Sequence, residues 1–109
     1  KNVYPEEIED HFQLYSEIEQ ILVRGYLEDE RRKVEAIEAM IHPRAEHYSP
    51  EEPEAWRGFD SEEVRTSLQR VIDEVNGRLL PYQRISRFRV LDKPMETSST
   101  KKIKRFTVE

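Results

Sequence analysis

A chain of 109 residues is long enough for one domain with a modest core and too short for a second. Charged residues make up 38% of it and hydrophobic ones 36%, and the net charge of -5 disfavours general nucleic-acid binding. The absence of cysteine removes disulfides, thiolate metal ligands and a cysteine nucleophile; with no apolar run long enough for a transmembrane segment and no signal-like start, the expected location is cytoplasmic, at most at the periphery of a membrane.

Ile8, Phe12, Tyr15 and Ile18 recur at helical spacing behind Pro5, with Glu6, Glu7 and Glu9 beside the positive end of the helix dipole. They predict a first helix over Pro5 to Ser16. Ile21, Leu22 and Val23, leading to Gly25 and Tyr26, read as a strand over Gln20 to Leu27. Lys33 to Ile41 is ambiguous: Ala, Glu and Met favour a helix, whereas the length and the closing cluster Ala39, Met40 and Ile41 also suit a strand. Propensity alone leans to helix. His42 to Phe59, with Pro43, Pro50, Pro53, Gly58 and no sustained period, reads as a long exposed loop. Val64, Leu68, Val71, Ile72, Val75 and Leu79 then form one stripe, and Asp60 with Glu63 has capping-box spacing. This amphipathic helix should stop between Gly77 and Leu80, because Pro81 forces the residue before it out of helical geometry. Ile85, Phe88, Val90 and Leu91, interleaved with Arg84, Arg87 and Arg89, suggest a last strand. The order of elements implies a small sheet covered by helices, the α+β class.

Three segments carry a resemblance. Lys1-Asn2-Val3-Tyr4-Pro5-Glu6-Glu7-Ile8-Glu9 opens the chain, Leu80-Pro81-Tyr82-Gln83-Arg84-Ile85 precedes the last strand, and Asp92-Lys93-Pro94-Met95-Glu96-Thr97-Ser98-Ser99-Thr100-Lys101-Lys102-Ile103-Lys104-Arg105 lies near the end. In this order they resemble three signatures of the adenylate-forming enzymes, the family of acyl-CoA synthetases, luciferases and peptide-synthetase adenylation domains. The first is similar to that family's Gly, Glu or Lys, Asn, Ile or Val, any residue, Pro, any residue, Glu, Ile or Val, Glu. The second is similar to Leu-Pro-x-Tyr-Lys, and the third to Pro-Lys-Thr-x-x-Gly-Lys-Ile-x-Arg. The subgroup most similar is the bacterial long-chain fatty acid CoA ligases, whose endings often run Thr-Lys-Lys-Ile-Lys-Arg.

The resemblance implies that residues 1–109 are the C-terminal lid domain of such an enzyme: a small, mostly antiparallel sheet flanked by helices, with Lys33 to Ile41 as a strand. A start without methionine, in mid-motif, fits a piece of a longer protein. The implied activity joins a fatty acid, ATP and CoA into acyl-CoA, AMP and diphosphate. The implied partner is an N-terminal adenylation domain that would hold the ATP pocket, the acyl pocket and Mg2+, so that this piece alone is inactive. By the motif, Lys102 is the lysine that neutralises charge during adenylation, a task suited to a compact ammonium on a flexible stem. Lys101 stands where most relatives have glycine, and either carries strain or shares the role. Lys1 and Asn2 would help to line the path of the CoA pantetheine. An acyl-carrier-protein acyl ligase and a non-catalytic interaction domain of the same fold are the alternatives.

Without the resemblance, Lys101 to Arg105 is simply a basic tail. His42, Glu46 and His47 lack the spacing of a defined metal motif, so no metal is assigned to this chain. Trp56 reads as a packing anchor for its loop.

Overall fold

In the computed structural model, which describes residues 2–97 and 102–105, the chain runs through α1 (Pro5–Asp10), β1 (Ile18–Asp29), β2 (Val34–Pro43), α2 (Ala45–Tyr48), α3 (Glu62–Asn76) and β3 (Arg87–Val90). Pro5 opens α1 as expected, but the helix ends at Asp10 and not near Ser16. The chain winds on through tight turns, Phe12 N–H donating to Glu9 O and Tyr15 N–H to Phe12 O. Tightening into three-residue turns still buries Ile8 and Phe12 on one side while Leu14 is 98% exposed.

β1 and β2 pair antiparallel from Ile18 opposite Pro43 to Asp29 opposite Val34, and β3 joins the other edge of β2 in parallel, Glu38 opposite Arg87 and Ile41 opposite Val90. The turn between β1 and β2 is built by Asp29, whose carboxylate accepts the N–H groups of Arg31 and Arg32. It closes on Lys33 at φ 54.

The strand reading of Lys33 to Ile41 is the correct one, and the lean towards helix fails for a tertiary reason. β2 is the middle strand and is covered on both faces, so Ile37 to Ile41 are all buried and the alternation that marks a half-exposed strand disappears. Ile37, Ala39 and Ile41 meet α1 and α3 in the main core, with Val23, Val64, Leu68, Val71, Ile72 and Val75. On the opposite face Leu22 and Met40 form a smaller cluster with Met95, Leu91 and Ile103.

α3 follows its apolar stripe closely, but the cap lies one residue later than the spacing of Asp60 and Glu63 suggested. Ser61 is the N-cap, its hydroxyl accepting the Val64 N–H at 3.2 Å, which leaves Glu62 and Glu63 in the first turn. Asn76, the last residue of α3, ties the helix end to the approach to β3: its side chain donates to Ile85 O at 3.0 Å and accepts from Ile85 N–H at 2.9 Å.

Across the second face runs a charge ladder, one rung per strand. Glu38 on β2, with its side chain 3% exposed, accepts from Arg24 on β1 and from Arg87 on β3, each at 2.8 Å. Arg87 also lies 3.7 Å over the Tyr26 ring. Burial alone would raise the Glu38 carboxyl, but the Arg24 and Arg87 guanidiniums together hold it below its ordinary 4.5. One-residue slips of either neighbour would strand this carboxylate, so the ladder specifies register as well as contributing stability.

Because the folded-state pKa of Glu38 is lowered, its contribution is complete above the unfolded value and is lost as pH falls through the folded one. Glu38→Gln should therefore cost about 2 kcal/mol at neutral pH, less than a fully enclosed pair because both arginines reach water. Urea unfolding at about pH 7 and about pH 3.5 checks this, the variant losing less than the parent on acidification. Equal stability of the two proteins at neutral pH would refute the ladder's contribution.

Candidate functional site

The segment carrying Lys102 lies on the second face of the sheet. It is tethered at both ends. At the near end the Gln20 side chain works as a strand edge would, donating to Met95 O at 3.2 Å and accepting from Met95 N–H at 2.6 Å. Thr97 then pairs antiparallel with Ile103, and Lys104 N–H donates to Glu96 O at 2.8 Å. Ile103 packs with Leu22, Met40 and Met95, whereas its neighbours Lys102 and Lys104 are exposed. An extended chain alternates its side chains, so an inward Ile103 turns both lysines outward.

At the far end, Arg105 reaches back to the first helix. Its Nη2 donates to both carboxylate oxygens of Glu9, at 2.7 and 2.8 Å, and its Nη1 donates to Val23 O at 3.0 Å. The same Glu9 carboxylate accepts the Val23 N–H at 2.7 Å. β1 is an edge strand, and Val23 points its backbone groups away from β2. The Glu9–Arg105 pair thus satisfies both the N–H and the C=O of Val23, as another strand would, and covers the edge at that residue. Burial pushes the Glu9 carboxyl above its ordinary 4.5, against the opposing effects of the Val23 N–H and Arg105. Sequence reasoning gave Glu9 only a helix-dipole role. The available signal was its position as the last residue of the first family-like segment, with Arg105 the last of the third.

Asn2 is exposed and donates to the Tyr4 hydroxyl at 3.5 Å. It lines a groove of about 850 Å³ beside β1 and β2, with Val23, Gly25, Tyr26, Tyr82 and Arg84. Val23 therefore borders both the groove and the Arg105 tether. The two family-like ends of the chain converge on one strand. Lys1 and Lys101 lie outside the described residues.

The segment expected to be a bare loop, His42 to Phe59, is more ordered than its composition suggests. It contains the end of β2, α2 and a single helical turn at Pro53–Ala55, and it is held by stacked rings. Trp56 stacks on Tyr48 at 5.1 Å and meets Phe59 at 4.3 Å, and Phe59 stacks on His42 at 5.4 Å. A side chain on Gly58 would come within 2.7 Å of the Trp56 indole nitrogen, so glycine is required by the close approach. Trp56 packs against the main core, as the anchor reading expected. His42 donates through Nδ1 to Leu91 O at 2.9 Å, and His47 Nδ1 pairs with Ser16 Oγ at 2.9 Å. Both histidines are thus occupied in packing these loops together.

No family model and no curated protein matches the chain. Solved structures do match in fold. Over 96% of its length the chain is similar to the anthranilate CoA ligase AuaEII, whose crystal structure holds anthranoyl-AMP, with a TM-score of 0.64 and 19% identity. Over 98% of its length it is similar to an ATP-bound RpMatB-BxBclM chimera, with a TM-score of 0.64 and 18% identity. The chain spans 17% of the first and 18% of the second. At such identity the likeness establishes the fold alone, a small α+β fold shared with part of each of these two proteins.

If Ile103 anchors the tail, its loss should loosen the tail without loosening the core. In Ile103→Ser the Lys104 amide, bonded to Glu96 O, should exchange with solvent about tenfold faster, while α3 amides keep their protection. Hydrogen exchange followed residue by residue measures this, and an unchanged Lys104 amide would refute the anchoring.

Proposed function

We propose that residues 1–109 form the C-terminal mobile domain of an ATP-dependent CoA ligase that acts on long-chain fatty acids. In the first half-reaction a carboxylate oxygen attacks the α-phosphorus of ATP, the bond to the bridging oxygen breaks, and acyl-adenylate and diphosphate result. In the second, the CoA thiol loses its proton and attacks the acyl carbon, and AMP departs. The reading is carried by the fold likeness to a CoA ligase over 96% of the chain. The exposure of Lys102 on a tethered segment supports it further.

Each role follows from the chemistry. Lys102 would carry its ammonium to the phosphate and carboxylate oxygens of the first half-reaction, where charge develops, acting across a domain interface. Asn2, which lines the groove beside β1, and Lys1 before it would face the pantetheine of CoA in the second. The ATP pocket, the fatty-acid pocket and the Mg2+ ligands would belong to a larger preceding domain, against which this one rotates between half-reactions. The long-chain preference rests on the ending Lys101-Lys102-Ile103-Lys104-Arg105 alone.

The 109-residue chain should fold yet release no diphosphate from ATP and a fatty acid, because an ammonium without a bound substrate has nothing to position. Release above the buffer rate would refute this. In the full-length enzyme, Lys102→Ala should slow adenylation by roughly 100- to 1000-fold and leave thioester formation from a supplied acyl-adenylate nearly unchanged. Lys101→Gly should leave adenylation within about threefold, since it restores the glycine of the commoner motif and leaves intact the Ile103 anchor that turns Lys102 outward. A larger loss for Lys101→Gly than for Lys102→Ala would move the assignment to Lys101.

A further inference from the structure

Lys102 is adjacent to Ile103 and three positions before Arg105, so whatever holds Arg105 limits where Lys102 can travel. The Ile103 side chain supplies nonpolar contact in the small cluster, and its backbone pairs with Thr97 of the same segment. Direction and reach come from the far end, where Arg105 is held by three hydrogen bonds, two of them to Glu9. Glu9 is itself fixed: its helix is packed by Ile8 into the main core, and its carboxylate accepts the Val23 N–H. The Glu9 side chain is 17% exposed, so the pair is shielded enough to be worth more than a surface ion pair.

We propose that Glu9 is a positioning residue for Lys102, holding the segment in register on β1 by its grip on Arg105. The inference rests on the reading of Lys102 given above. Its physical content is that an ammonium must arrive within hydrogen-bond distance of oxygens bound on another domain, and that a misplacement of about 1 Å can cost about 100-fold in rate. A segment tethered only at Gln20 and Ile103 would sample many placements, of which few are productive. Glu9 would not touch substrate.

The test compares both half-reactions in the full-length enzyme for Glu9→Gln, Arg105→Gln, Lys102→Ala and the double variant Glu9→Gln with Lys102→Ala. Glu9→Gln keeps an oxygen for the Val23 N–H while removing the charge that holds Arg105. It should lower kcat for adenylation by roughly 10- to 100-fold, with KM for ATP and the thioester half-reaction within about twofold. Arg105→Gln, which opens the same contact from the other side, should give the same selective loss. In the double variant adenylation should be no slower than in Lys102→Ala alone, because a residue that acts through Lys102 has nothing left to position.

Losses that multiply in the double variant, or loss of both half-reactions in Glu9→Gln and Arg105→Gln alike, would mean that Glu9 serves the fold and not Lys102. Near-normal adenylation in Glu9→Gln beside a severe defect in Lys102→Ala would overturn the inference and leave the reading of Lys102 standing. Near-normal adenylation in Lys102→Ala would overturn that reading and the inference with it.

Discussion

One carboxylate, Glu9, joins parts of the chain that are far apart in sequence: the first helix, the edge of β1 at Val23, and Arg105 near the end. Without it the N–H of Val23 would lose its partner, and Arg105 would lose its ion pair. An open strand edge is a site for unwanted pairing, and proteins usually cover it with a strand, a helix or a charged side chain. Here the cover is a charge pair built from both ends of the domain. That arrangement makes the position of the tail a consequence of the sheet, since Val23 is held in turn by its place opposite Ala39.

The two faces of the sheet are stabilised by different means. One is apolar throughout, with α1 and α3 packed on Val23, Ile37, Ala39 and Ile41. The other combines the Arg24–Glu38–Arg87 ladder with a small cluster of Leu22, Met40, Met95 and Ile103. A large apolar core resists rearrangement, whereas a few side chains and ion pairs near water open more readily. The tail that carries Lys102 lies on the second, more easily remodelled face. On the proposed function that division is useful, because the domain must keep its fold while exchanging one set of contacts with its partner for another.

Much of this was legible from local pattern. The stripe from Val64 to Leu79 defines α3 because it is packed on one side only, and Pro81 marks its end. β2 escaped propensity because a middle strand covered on both faces shows no alternation; local pattern left helix and strand both open there, and the family resemblance favoured the strand. The first helix was read too long because Phe12 and Tyr15 keep their inward spacing through tight turns as well as through a helix. The order in the His42 to Phe59 segment comes from ring stacking between residues up to seventeen apart, which no local period reveals. Of the candidate site, the exposure of Lys102 and the anchoring by Ile103 follow from alternation. The role of Glu9 does not, because it depends on a contact spanning 96 positions.

The central claim is that Glu9 and Arg105 act as one unit at the edge of β1. A double-mutant cycle measures it directly: urea unfolding of the 109-residue chain, of Glu9→Gln, of Arg105→Gln and of the double variant. The contact shown here predicts a coupling of about 1 to 2 kcal/mol, the second substitution costing much less once the first is made. Additive losses, with a coupling below about 0.3 kcal/mol, would mean that the two side chains stabilise the domain independently and would contradict the account.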